Sequence, residues 1–201
     1  MSRIKTILWD FAGVLLFAIK GDFNSQLAER LNVPIGAVDQ VMNSRMNDLW
    51  DIDEIDDITF YTYMLDTMQQ PREKLSIIQN FVVKDFYIDQ DMLPKIKAFR
   101  KSYTNILLTN FPKHIHDFIK TDWIIDGAFD HIITSCDVKL IKPDPAIYQL
   151  ALKRAGCSPD ESVFLDDREV NVHAAEALGI HGILVKDKDQ AIMDLEKLLS
   201  A

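Results

Sequence analysis

Cysteine is nearly absent: the 201 residues include two, Cys136 and Cys157, far apart and outside any CxxC or Cys/His cluster of the sequence. That excludes a disulfide scaffold and a structural zinc site of the usual spacing, and it leaves two small buried thiols in a reducing compartment as the expectation. Long hydrophobic runs are missing too. The most apolar stretch, residues 7–19, is interrupted by Asp10 and is too short for the ~20 residues that cross a bilayer. No signal-peptide pattern is visible, so a cytoplasmic protein is expected. Positive charge is in deficit, with 22 Lys+Arg against 31 Asp+Glu, a net charge of -9 and a pI near 4.9. Without a basic face, neither nucleic acid nor an anionic membrane is an expected partner. A small anionic substrate remains compatible where a local cation holds it. What is present is ordinary: 48% hydrophobic and 26% charged residues mark a folded globular chain. The length allows one domain, or one domain with an inserted subdomain. Oligomeric state is not legible.

The chain opens as a strand over 3–9, an apolar run that meets Asp10-Phe11-Ala12-Gly13. A charged residue directly after a buried-strand pattern marks a strand end that opens onto a site. From 21 to 88 the pattern turns helical, with no convincing strand. Asp22 caps 23–31, Pro34 opens a helix to about 47, Asp56 or Asp57 caps 58–68, and Pro71 opens one reaching about 84. After 89 the pattern alternates: helix 92–101, strand 105–108, a helix from 113, strand 131–134, helix 145–155, strand 162–165, a helix stopped by Gly179, strand 182–185, and a helix from 189. Strands alternating with helices at this spacing imply an α/β fold, a Rossmann-like parallel sheet flanked by helices. The helical block is expected to be an inserted cap at 18–88, with 1–17 and 89–201 forming the core.

Ligands of open α/β sheets bind beyond the carboxyl ends of the strands. Asp10, Thr109, Lys142, and the pair Asp166-Asp167 stand at or just past such ends. One strand-ending Asp is usually a cap or turn residue; three carboxylates, a hydroxyl and an ammonium on one edge are harder to explain that way. Clustered carboxylates need a cation, and oxygen ligands without His or Cys select a hard one, Mg²⁺ before others. Asp10 is then placed to act as a carboxylate nucleophile in phosphoryl transfer, with Lys142 and Mg²⁺ supplying positive charge and Thr109 a hydrogen bond.

Four segments carry a family resemblance: Asp10-Phe11-Ala12-Gly13-Val14-Leu15, Leu107-Leu108-Thr109-Asn110, Ile141-Lys142-Pro143-Asp144-Pro145-Ala146-Ile147-Tyr148, and Phe164-Leu165-Asp166-Asp167-Arg168-Glu169-Val170-Asn171. In order, they resemble the four motifs of the haloacid dehalogenase-like hydrolases, and the helical segment resembles that family's cap. The stretch from Leu178 and the ending 183–188 look closest to the branch holding sugar-1-phosphate phosphatases and the N-terminal phosphatase domain of soluble epoxide hydrolases. The resemblance implies a Mg²⁺-dependent phosphatase acting on a small phosphorylated metabolite through an aspartyl-phosphate. It implies Asp10 as nucleophile and metal ligand, Thr109 and the Asn110 backbone as phosphate ligands, and Lys142 as the bridge between nucleophile and phosphate. It implies Asp167 as metal ligand, Asp166 as its support, and Asn171 as the residue that orients the acidic loop, although Asn171 also reads as a helix residue facing its own turn.

Position 12 departs from the pattern. Most phosphatases of the family carry a second Asp two residues after the nucleophile, which protonates the leaving group and later activates water. Ala12 does neither, though its backbone carbonyl remains available to the metal. A positioned acid is worth about 10²–10⁴ in rate. Three readings follow: a phosphatase for good leaving groups such as anomeric phosphates, whose branch also has a small residue here; another reaction of the family, phosphonate or halide chemistry; or a non-catalytic phosphate-binding protein. Dehalogenases usually carry Tyr at this position. Phosphonate hydrolases carry Ala but need a cap lysine, and only Lys20, Lys74 and Lys84 flank a lysine-free central cap at 44–60.

The run from Asp48 to Asp57 holds Asp48, Asp51, Asp53, Glu54, Asp56 and Asp57. It reads as a solvated, helix-capping loop, or as a cap surface that receives a polyhydroxyl group or lends a replacement acid. His114 and His116, just after Pro112, read as exposed helix residues or as groups that reach the phosphate edge, and His131, His173 and His181 as isolated. Trp50, Phe60, Tyr61 and Tyr63 read as the cap's own core, with Trp50 also a candidate to line the substrate pocket.

Overall fold

The computed structural model describes residues 4–19, 21–84, 86–121, 125 and 127–200; side chains at 82–84, 118, 120 and 121 lie outside the description, as do Arg3 and Lys20. Five strands, β1 (Thr6–Trp9), β4 (Thr104–Thr109), β5 (His131–Thr134), β6 (Ser162–Asp166) and β7 (His181–Leu184), form one sheet in the order β5-β4-β1-β6-β7. All four neighbour pairs are parallel. Numbered among themselves the strands run 3-2-1-4-5, a doubly wound order. The strand order reverses between β1 and β6, so the crevice beyond their carboxyl ends lies where Asp10 follows one strand and Asp166-Asp167 end the other.

The central strands are apolar throughout because both faces are covered. Leu8, Ile106, Leu108 and Phe164 pack on one face with Tyr148, Ala151 and Leu152 of α9 (Pro145–Ala155). Ile7, Trp9, Leu107 and Leu165 point the other way, toward α6 (Met92–Phe99) and α11 (Lys188–Leu199). α7 (Ile115–Thr121), α8 (Ser135–Val138) and α10 (Glu169–Glu176) complete the layers. One buried polar residue ties them together: the Asn105 side-chain amide donates to the carbonyls of Ile96 (2.7 Å) and Ala128 (3.1 Å).

The segment between β1 and α6 is a helical block: α1 (Phe23–Leu31), α2 (Ile35–Met42), α3 (Arg45–Asp51), α4 (Asp57–Thr67) and α5 (Leu75–Lys84). Asp22 caps α1 and Asp56 caps α4, each accepting from the backbone N–H three residues on. Trp50 stacks on Phe60 with ring centroids 4.3 Å apart, so the aromatic stripe is this block's own core. Three expectations need correction. The helix sought from Pro34 to 47 breaks at Asn43-Ser44 into α2 and α3, where the Asn43 side chain and the Ser44 hydroxyl bond back to main-chain carbonyls and compete with helix continuation. The helix from Pro71 starts as a 3₁₀ turn at Arg72–Lys74 before α5. The segment is also not free of strands: β2 (Leu16–Ala18) pairs antiparallel with β3 (Phe86–Ile88), closing the neck of the block. Each is three residues long, too short for an alternation to be read, and the partner is some 70 residues away.

Replacing Asn105 with Ala removes the side-chain donor to the Ala128 carbonyl, while Ile96 keeps its bond from the Arg100 N–H; an unsatisfied buried group costs about 1–3 kcal/mol. Urea unfolding of Asn105→Ala should give a midpoint well below the parent's.

Candidate active site

The site is built upward from the sheet. Phe164 of β6 lies under the Lys142 ammonium, whose Nζ is 5.3 Å from the ring centroid. Tyr148 of α9 stacks edge-on against Phe164 and donates its hydroxyl to the Asn171 carbonyl at 3.0 Å. Asn171, buried in α10, donates its amide to both oxygens of Asp166 at 3.0 Å. This resolves the two readings of Asn171: it holds the acidic loop and does not face its own turn. Asp166 also accepts from the Arg168 backbone N–H at 2.8 Å and from Lys142 Nζ at 2.7 Å. Its acceptor positions are therefore spent.

Lys142 Nζ also meets Asp10 Oδ1 at 2.7 Å, with both side chains almost fully buried. The Phe11 backbone N–H donates to that same oxygen at 2.7 Å, so both of these bonds fall on Oδ1. The loop bearing Lys142 is fixed by Asn110: the Lys142 N–H donates to Asn110 Oδ1 at 2.8 Å and Asn110 Nδ2 donates to the Lys142 carbonyl at 2.9 Å. Sequence reasoning assigned Asn110 a backbone role only; its side chain adds this second one. Thr109 ends β4 fully buried beside them.

Asp10, Asp166 and Asp167 bring one oxygen each within 4.8 Å of one another. Against three carboxylates stands one buried ammonium. Burial first, then Asp166, pushes the Asp10 carboxyl above its ordinary range, with Lys142 pulling it back. Asp167 shifts the same way, from desolvation and Asp166, while keeping an exposed face. Burial alone would lower Lys142, but Asp10 and Asp166 override it and hold it charged. The excess of negative charge, and a donor set made only of oxygens, fit a hard divalent cation of the Mg²⁺ type. Because Asp166 is saturated, Asp10 and Asp167 are the carboxylates of the three that could take a cation. Ala12 sits in a tight turn bridged to Leu16, with its side chain exposed.

The turn depends on Gly13, a glycine that residue-by-residue reading passes over. Its φ is +80°, and a Cβ there would lie 2.3 Å from Asp167 Oδ2. Glycine therefore lets the nucleophile loop and the acidic loop close on each other. Ser135 is a second unforeseen residue. Its hydroxyl accepts from the Phe111 N–H at 2.9 Å and donates to the Asp51 carbonyl at 2.6 Å, linking the loop after β4 to the end of α3. Lys139 adds a bond to the Ile52 carbonyl at 2.6 Å. Both lie beyond β5, whose strand end carries no charged residue to draw attention.

A cleft of about 330 Å³ runs between the helical block and the loop after β4, lined by Trp50, Asp57, His114 and His116 among others. His114 is not the exposed residue expected: it sits under Trp50 and contacts Asp57 Oδ1 at 3.3 Å. His116 meets Asp137 at 3.0 Å and comes within 3.9 Å of Cys136, a proximity that the linear spacing concealed. His173 is exposed, within reach of Glu169 one turn away. Among the described residues, no helix is long and apolar enough to cross a membrane.

A family model of haloacid dehalogenase-like hydrolases matches residues 4–179. The chain therefore belongs to that family of hydrolases. It is 46% identical to the bifunctional epoxide hydrolase 2 of Sus scrofa over 114 residues, which is 49% of this chain and 19% of that protein. Sesquiterpene phosphatase astK of Aspergillus oryzae is 33% identical over 94 residues, 46% of this chain and 47% of that one. The matches thus span about a fifth and about half of these relatives' lengths. The fold is shared with a Bacteroides thetaiotaomicron family enzyme solved as an Asp-to-Ala mutant with magnesium and inorganic phosphate, at a TM-score of 0.72, 22% identity, and coverage of 92% of this chain and 96% of that one.

Gly13→Ala should force Asp167 away and strain a positive-φ turn, at about 1–2 kcal/mol for the backbone alone. Isothermal titration with Mg²⁺ should show weakened binding while the circular dichroism of the sheet and helices is retained.

Proposed function

We propose that this chain is a Mg²⁺-dependent phosphomonoester hydrolase for a small phosphorylated metabolite, with the helical segment 18–88 acting as a cap over a core of 1–17 and 89–201. The observation that carries this is the asymmetry of Asp10. One of its oxygens is pinned by Lys142 and the Phe11 N–H, so the carboxylate is held in one orientation while its other oxygen takes neither bond. That is what a nucleophile toward phosphorus needs: orientation with little reorganisation.

The other oxygen of Asp10 attacks phosphorus, the P–O bond to the leaving alcohol breaks, and an aspartyl-phosphate forms. Water then attacks that phosphorus, releasing inorganic phosphate and restoring Asp10. Lys142 bridges the nucleophile and a phosphate oxygen, and Thr109 with the Asn110 backbone holds the other oxygens. Asp10, the Ala12 carbonyl and Asp167 hold the metal, with Asp166 behind them and Asn171 orienting Asp166. When bound, Mg²⁺ neutralises phosphate charge and lets an anion approach a carboxylate. Closure of the cap excludes water from the first step.

Esters of relatively acidic hydroxyls, such as sugar 1-phosphates, are the favoured substrates because Ala12 supplies no proton. The phosphatase name of one relative supports phosphate-ester hydrolysis as the reaction class. Phosphonate chemistry, which Ala12 alone would suit, needs a free cap lysine, and Lys74, the one of the three candidates whose side chain is described, is engaged by the Leu31 carbonyl and Gln70.

Asp10→Asn should leave the fold intact and abolish p-nitrophenyl phosphate turnover, because an amide cannot form the acyl-phosphate. EDTA should silence the parent, and Ca²⁺ should inhibit it, since a larger, looser coordination sphere misplaces Asp10. Mg²⁺-dependent turnover that survives in Asp10→Asn would remove the covalent mechanism; no turnover by the parent would leave the non-catalytic reading standing.

A further inference from the structure

The reaction above leaves a proton unassigned at position 12, and the helical block carries six acids close to the cleft. They are not equivalent. Asp56 spends its carboxylate as the cap of α4. Asp57 accepts from Trp50 Nε1 at 2.7 Å and from His114; burial works to raise it, but these two bonds outweigh burial and hold it ionised. Asp53 lies between Lys139 and Lys113. Asp48 is exposed beside Arg45, and Glu54 is exposed.

Asp51 differs from all of these. It is the last residue of α3 and the one buried acid of the run, with its backbone carbonyl clamped to the core by Ser135 at 2.6 Å. The next carbonyl is clamped by Lys139. The Asp51 carboxyl accepts one hydrogen bond, from Asn47 Nδ2 at 3.0 Å. It lies close enough to Arg168, on the acidic loop, and to Lys142, in the catalytic bridge, to feel both charges. Through Ser135, whose hydroxyl also accepts from the Phe111 N–H, the end of α3 that carries Asp51 is seated against the loop that follows Thr109 and Asn110.

We propose that Asp51, delivered by the cap, is the general acid that replaces the missing side chain at Ala12. This rests on the hydrolase reading given above. As the Asp10–phosphorus bond forms and the bond to the leaving oxygen breaks, the Asp51 carboxyl proton passes to that oxygen. Water then cleaves the aspartyl-phosphate to the Asp10 carboxylate and dihydrogen phosphate, a step that asks nothing of Asp51, and solvent returns the proton to the Asp51 carboxylate. The charged groups facing Asp51 are Asp48 on its own helix, Arg168 after β6 and Lys142 after α8. Burial first, then Asp48, pushes its carboxyl up to about 7, against the pull of Asn47, Arg168 and Lys142. A large share of it thus keeps its proton near neutrality, as a donor must. By linkage, an acid raised on folding stabilises the protein at low pH, and that contribution is lost as pH rises from the ordinary Asp range through about 7.

The experiment compares kcat and KM of the parent, Asp51→Asn and Asp51→Glu on p-nitrophenyl phosphate and on glycerol phosphate, with Mg²⁺, across pH. The amide is nearly isosteric, and the carbonyl clamp to Ser135 does not involve the side chain. Expected is a loss of about 10²–10⁴ in kcat on glycerol phosphate for Asp51→Asn, little change on p-nitrophenyl phosphate, and partial recovery in Asp51→Glu. The parent's rate on glycerol phosphate should fall above about pH 7, and Asp51→Asn should lose that limb. A direct readout is the carboxyl ¹³C titration of the parent, in which the raised resonance should vanish in Asp51→Asn. Equal losses on both esters, or no loss on glycerol phosphate, overturns the proposal. A parent that hydrolyses neither ester overturns the hydrolase reading first, and the acid with it. Should Asp51→Asn fail to fold, an ordinary Asp51 titration in the parent overturns the proposal by itself.

Discussion

The site depends on one buried ammonium set between two buried carboxylates. Lys142 meets Asp10 and Asp166 at 2.7 Å each, all three side chains being nearly sealed from water. Breaking such a pair from one side costs about 3–5 kcal/mol because it strands a charge. The arrangement is therefore rigid, and it divides labour between two chemically identical residues. Asp166, surrounded by Asn171, the Arg168 N–H and Lys142, is a saturated structural anion. Asp10, bonded on one oxygen only by Lys142 and Phe11, retains a reactive one.

This rigidity is inherited from the sheet. β1 and β6 are neighbours in register, so Asp10 and Asp166 leave adjacent strand ends at the point where the strand order reverses. The ammonium has to come from a third element, and the Asn110–Lys142 exchange of backbone and side-chain bonds brings the loop before α9 across to β4. Tyr148 and Phe164, fully buried and packed edge to face, then form the floor on which the polar cluster sits. Packing beneath the site and geometry within it are one structure.

The sheet and the polar cluster were legible for the same reason. Strand ends in a parallel sheet share an edge, so apolar runs terminating in Asp10, Thr109 and Asp166 announce both the fold and the crevice. Three kinds of feature were not legible. β2 and β3 pair over a long sequence separation with three residues each, below the length at which alternation means anything. Gly13 matters through a close approach to Asp167 that no local pattern encodes. The acids of 48–57 look alike in the chain; only tertiary burial separates Asp51 from Asp56 and Asp57, which are occupied by a helix cap and by Trp50 and His114. His114 was misread for a related reason, since its burial under Trp50 is set by a different segment.

The residue at position 12 links these points. An acid beside the nucleophile would share its loop, and its placement would hold whether or not substrate were enclosed. With Ala12 there, a proton has to come from somewhere else or not be needed. The two solutions pull in different directions. A leaving group acidic enough to depart unprotonated needs nothing from the helical block, and selection then falls on binding alone. An acid carried at the end of α3 makes the chemical step conditional on the contacts that seat that helix, namely the Ser135 and Lys139 bonds to the carbonyls of residues 51 and 52. Those bonds reach back through the Phe111 N–H to the loop bearing Thr109 and Asn110. In that arrangement the same few hydrogen bonds that close the block would also complete the catalytic set, and closing without substrate or reacting without closure would both be disfavoured by geometry rather than by a separate control.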